Sequence, residues 1–138
     1  KLVSRVLKRS KFSKSNLGQS LVEMAIILPI LLMLILGMVE FGRVFSSFLV
    51  MENLSRNAAR FGVVGHSDQE ILDLIEAENP LLRMESLTID ISPSDSMRDR
   101  GDPLTVSLDY TIDIVTPIMS DFLTNPFPLT TSCTMMVE

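Results

Sequence analysis

The chain has 138 residues, enough for one small domain and one membrane segment, and a single cysteine, Cys133, which excludes an intrachain disulfide. Its net charge of −5 conceals an asymmetry: residues 1–18 carry six basic residues and no acid, whereas the remainder carries six arginines against 17 acids, or −11. A basic block ahead of an apolar run orients a membrane protein by the positive-inside rule, which puts the block in the cytoplasm and the acidic remainder outside. Phe12 is the only aromatic in the block, which also abuts the apolar run, so nucleic acid is not expected as a partner.

From Met24 to Val39 no residue is charged or strongly polar. As a helix this run rises roughly 24 Å, short of a ~30 Å hydrocarbon core, whereas a count from Gln19 gives roughly 31 Å and spans it. The longer count draws Glu23 into the apolar segment. An acid at the centre of such a helix costs roughly 2.5–3.5 kcal/mol and less near its end, so Glu23 is a functional residue by default. A secretory signal would have a shorter apolar region, and Val44-Phe45-Ser46 is a mediocre cleavage site, so the span is expected to be retained. Pro29 lies within the run, where it removes one backbone donor and predicts a kink over residues 25–29.

Past Val39 the helix is expected to continue. Phe41, Val44, Phe45, Phe48, Met51, Leu54, Ala58 and Phe61 recur at three- and four-residue steps and predict the buried stripe. Glu40, Arg43, Ser47, Asn53 and Arg60 are assigned to the opposite, wet face. One helix of about forty residues, roughly 60 Å, would thus leave the membrane and enter the head, with Gly62 and Gly65 ending it. His66, in the turn, reads as a solvated loop histidine. Ser67-Asp68-Gln69-Glu70 is a capping box opening a short helix that carries Ile71, Leu74 and Ile75 and stops at Asn79-Pro80.

Beyond this the period changes to two. Leu87, Ile89 and Ile91 alternate with polar residues; so do Leu104 to Ile114, and Leu129 to Val137 with Cys133 facing inward. These predict three strands of an antiparallel sheet, with a single helical turn in the Pro-rich connection 115–128. The fold class is therefore α+β: a long N-terminal membrane-spanning helix continuing into a small head with a short helix and a three-stranded antiparallel sheet. The organisation is a basic cytoplasmic leader over 1–18, a transmembrane and exit helix over 19–62 and an extracytoplasmic head over 63–138. A head under eighty residues without a disulfide is marginal alone and is expected to share its core with the exit helix.

No catalytic constellation, phosphate loop or cofactor site is legible, so no enzyme activity is expected. Asp95, Asp99 and Asp102 lack the ligand spacing and glycine of a calcium loop, with Met97 and Arg100 at the positions that matter, and no metal is expected.

Gly18-Gln19-Ser20-Leu21-Val22-Glu23 followed by an apolar run resembles the class III, type IV pilin-like signal. More narrowly, the LP and EFGR elements in LVEMAIILPILLMLILGMVEFGRVF, together with Arg56-Asn57-Ala58-Ala59-Arg60, resemble the TadE-like family of pseudopilins of the tight-adherence (Flp-type) pilus. The stretch GDPLTVSLDY and the ending TMMVE are similar to that family as well. The resemblance implies cleavage between Gly18 and Gln19 by a prepilin peptidase and a register or assembly role for Glu23. It also implies other pilin-like subunits, the assembly machinery and membrane lipid as partners. The expected function is a minor subunit or assembly factor in the inner membrane or pilus. The alternative is a signal-anchored extracytoplasmic binding or sensory module with an uncut leader.

Overall fold

The structure, a computed structural model, describes residues 13–116, 121 and 123–138. The first twelve residues of the basic leader lie outside the described residues, and so do residues 117–120 and 122 of the connection in which a helical turn was expected. Helix α1 spans Ser13–Val63 and α2 Asp68–Glu78; the strands are β1, Leu87–Ser92, β2, Pro103–Ile112, and β3, Phe127–Met136. The architecture is α+β, as the sequence pattern implies. The chain divides into two compact units between Met38 and Val39.

In the first unit, the helical residues from Gly18 onward are exposed apart from the half-buried Gly37, with leucines, isoleucines and methionines around the whole circumference. An all-round apolar helix requires an apolar environment. Its best 18-residue window has a mean hydropathy of 2.6 and no buried residue, so it is long and apolar enough to cross a membrane. Pro29 sits inside the helix, which continues on both sides.

The second unit joins the C-terminal half of α1 to α2 and the sheet. The sheet is an antiparallel meander in the order β1-β2-β3. Its register aligns Leu87, Tyr110 and Leu129 in one row and Ile89, Leu108 and Thr131 in the next, and Ile91, Val106 and Cys133 form a third. Period two puts these residues on one face, and they share a core with Met51, Leu54, Ala58, Ala59 and Val63 of α1 and Ile71 and Ile75 of α2. Thr88, Thr105, Ser107, Asp109 and Thr130 occupy the opposite face, where Thr130 Oγ1 donates to Asp109 Oδ1 at 2.6 Å. Helix and sheet thus share one core.

The stripe on α1 differs from the expected one. Met51, Leu54 and Ala58 are buried, but Phe41 and Phe45 are 69% and 62% exposed, and Glu40 and Ser47, expected on the wet face, are buried. The buried face runs through Glu40, Ser47, Met51, Leu54, Ser55, Ala58, Ala59, Gly62 and Val63, of which five are serine, alanine or glycine. Small side chains let a helix lie close to a sheet; large aromatics would hold it off. Gly62 shows how close this approach is, because a Cβ there would meet Leu104 Cδ2 at 2.5 Å and Ile71 Cδ1 at 2.8 Å. Its role is packing, not termination. The helix ends one residue later, and Gly65, at φ +97°, makes the turn and donates its N–H to Gly62 O.

The capping box forms as expected: Glu70 N donates to Ser67 Oγ, and Ser67 N donates to Glu70 Oε2 at 2.9 Å. The Ser67 N–H first, then the Ser67 hydroxyl and His66 Nδ1 at 3.3 Å, hold the Glu70 carboxyl below its ordinary value. His66 stacks flat on Phe61, with ring centroids 3.6 Å apart. Asn79 Oδ1 accepts from Leu82 N at 2.8 Å and closes the turn after α2. The acidic loop is internally bonded. Asp99 N donates to Asp102 Oδ2 at 3.0 Å, and Asp68 Oδ2 accepts from Asp95 N at 3.1 Å. Arg98 fastens this loop to the start of α2 through Asp68, His66 O and Pro93 O.

Leu54 and Phe45 separate the two stripes. Leu54→Asp buries a charge in the shared core and is expected to destabilise the head by about 3–5 kcal/mol. Phe45→Asp, on the exposed face, is expected to change stability by less than about 0.5 kcal/mol. Denaturant titration of the full chain in detergent measures both, and equal losses would contradict the buried face described above.

Candidate processing and assembly segment

The sequence-derived site residues all lie on α1. Gly18 is exposed and a Cβ added to it would meet nothing within 4 Å, so no packing need accounts for a glycine there. Because α1 begins at Ser13, the Gly18–Gln19 peptide is helical in this structure. Proteases bind extended backbone, so attack at this bond requires the first turns to unwind. Glycine lowers that cost, being about 1 kcal/mol less favourable than alanine in a helix.

Glu23 is exposed and has a partner in its own helix: Gln19 Nε2 donates to Glu23 Oε1 at 3.2 Å. The four-residue spacing puts both side chains on one helix face, so Gln19 and the Glu23 carboxylate are neighbours. Gly18, Gln19 and Glu23 therefore form one local cluster, while Pro29 sits further along the apolar segment.

A second pair of carboxylates on α1 ties it to the sheet end of the head. Glu40 is 4% exposed, with Oε1 accepting from Arg43 Nη1 at 2.9 Å and from Val115 N at 3.3 Å, and Oε2 accepting from Thr116 Oγ1 at 3.3 Å. The chain leaving β2 is thus fastened to α1. Glu52 Oε2 accepts from Thr131 Oγ1 at 2.6 Å, which satisfies a buried hydroxyl on the inner face of β3, and its Oε1 accepts from Arg56 at 2.6 Å. The Thr131 hydroxyl first, and Arg56 second, hold the Glu52 carboxyl below its ordinary value.

Sequence reasoning passed over Glu40. Its signal was present, since positions 40, 44, 47, 51, 54 and 58 recur at alternating four- and three-residue steps. The parallel stripe of phenylalanines outweighed it. Arg43→Ala leaves a nearly buried carboxylate without its cation and is expected to cost about 1–3 kcal/mol. Arg43→Ala combined with Glu40→Ala should cost less than the sum of the two single changes. A double-mutant cycle by denaturant unfolding measures this, and strict additivity would show the pair uncoupled.

Among the described residues no group of histidine, cysteine, aspartate and glutamate side chains is arranged to hold a metal ion. The long exposed apolar helix with its small α+β head defines a membrane-anchored protein carrying one candidate span near its N-terminus. The family model described as TadE-like protein matches residues 18–60, just under a third of the chain, so this segment is similar to that family. The match begins at Gly18 and includes Glu23, Pro29 and Glu40; GDPLTVSLDY and TMMVE lie outside it. No curated protein and no solved structure matches the chain.

Proposed function

We propose that the chain is a minor pilin-like subunit or assembly factor of a tight-adherence, type IV-like pilus or secretion system, processed after Gly18 by a prepilin peptidase. The observation that carries this reading is the TadE-like match, which starts at the glycine of the GQSLVE motif and runs through the apolar helix. In this reading residues 1–18 are the cytoplasmic leader, the head is extracytoplasmic, and the chain is a peptidase substrate and not itself an enzyme. The helical, unpacked Gly18 supports it, because a residue without side-chain contacts can leave the helix at little cost.

Intact mass of the membrane-bound protein tests the processing step. Wild type is expected to begin at Gln19 and Gly18→Val to keep its leader. The same start in both would refute cleavage here, and an uncut wild type would favour the signal-anchored binding or sensory module instead.

Cleavage would give Gln19 a terminal ammonium beside Glu23. A carboxylate near an apolar run is costly without a partner, and that ammonium, its own or a neighbouring subunit's, is the natural one. Pairing across subunits sets register, because a misplaced neighbour leaves the charge uncompensated at a cost of a few kcal/mol. Glu23→Gln is expected to leave processing and insertion intact and to reduce association with pilin-like subunits in crosslinking of membranes. Unchanged crosslinking would reduce Glu23 to a marker of the helix start at the lipid headgroups.

A further inference from the structure

We infer that the head carries a binding groove for the phosphate of an anionic phospholipid. The groove, about 520 Å³, lies wholly within the second unit, between α1 and the segment that leads into β1. Arg43 and Arg83 both line it, with the hydroxyls of Ser46 and Ser86 and the carboxylate of Asp113. Arg83 is exposed and its guanidinium has no hydrogen-bond or ion-pair partner among the described residues, and Arg43 gives only one nitrogen to Glu40.

Charge makes this clustering informative. From Val39 onward the sequence holds six arginines against 16 acids, so an anion is repelled by most of the unit. Two of those six arginines border one concavity. Guanidinium groups grip phosphate oxygens through several N–H donors at once, and nearby hydroxyls complete the shell.

The choice of a lipid over a free phosphate rests on two observations. The groove opens with Val39, the residue that ends the apolar run, so its lining begins in sequence where the candidate span ends. Two apolar side chains in its wall, Val39 and Leu81, are each 57% exposed, as a ligand with acyl chains below its phosphate requires and a small anion does not. The inference needs only the membrane anchor and stands apart from the pilin reading.

Native mass spectrometry of the full chain, released from detergent micelles supplied with phosphatidylglycerol, tests it. Wild type is expected to retain one lipid. Arg83→Gln is expected to weaken retention about tenfold, as the loss of one charge-assisted contact does, and Arg83→Lys to restore part of it. Arg100→Gln removes another exposed arginine, outside the groove, and is expected to have no effect. Equal losses from Arg83→Gln and Arg100→Gln would reduce the effect to net charge and overturn the site. Displacement of the lipid by glycerol phosphate or inorganic phosphate at comparable concentration would overturn the lipid and leave a free anion as the ligand. Circular dichroism confirms that each variant is folded.

Discussion

The core that α1 shares with the sheet is the constraint on which the head depends. At Gly62 an added carbon would press on the side-chain ends of Leu104 and Ile71, and Ser47, Ser55, Ala58 and Ala59 lie along the same face with Met51, Leu54 and Val63. A three-stranded sheet cannot bury both of its faces, and this one turns threonines and aspartates outward and spends its only apolar face on the helix. The C-terminal half of α1 is therefore the second layer of a two-layer domain and not a stalk on which a finished domain sits.

Close packing dictates the polar chemistry as well. A face made of small residues leaves space at its edges, and two carboxylates reach across it to groups on the sheet side. Glu52 answers the buried Thr131 hydroxyl, and Glu40 holds the backbone of Val115 and the Thr116 hydroxyl. Each satisfies a group that would otherwise be buried without a partner, an omission that costs more than such a bond returns. The two contacts fix the helix against separate segments, one against β3 and one against the chain beyond β2.

Much of this was legible in the residues because two periods do not resemble each other. The alternation in 87–91, 104–114 and 129–137 marks strands, and the Ser67–Glu70 box marks where α2 begins, to the residue. The helix face was harder to read because hydrophobicity and burial separate when the partner comes close. Phe41, Phe45 and Phe48 carry the largest apolar side chains and are left outside, while Ser47, Ser55 and Ala59 go in. The stripe read from residue size places Met51, Leu54 and Ala58 correctly and the three phenylalanines wrongly; the small residues Ser47, Ser55 and Ala59 complete the buried face. Glu40 was hidden for a related reason, since its partners Val115 and Thr116 lie 75 and 76 residues away and no local pattern announces them. Gly18, by contrast, was read from its motif, but its helical conformation depends on how far the helix extends toward the N-terminus.

The two tethers also set an order of events in the life of the chain. A polypeptide is made from its N-terminus, so α1 exists long before the residues that complete its environment. Glu52 waits 79 residues for Thr131. Contacts so far apart in sequence form late and slowly, since the entropy of closing a long loop comes due before any packing repays it. During that interval the small-residue face of the helix and the edges of β1 and β2 stay open to other chains. Assembly of the head is thus gated by arrival of its last strand, and a ribosome stalled anywhere short of β3 would leave an anchored helix with no domain to belong to.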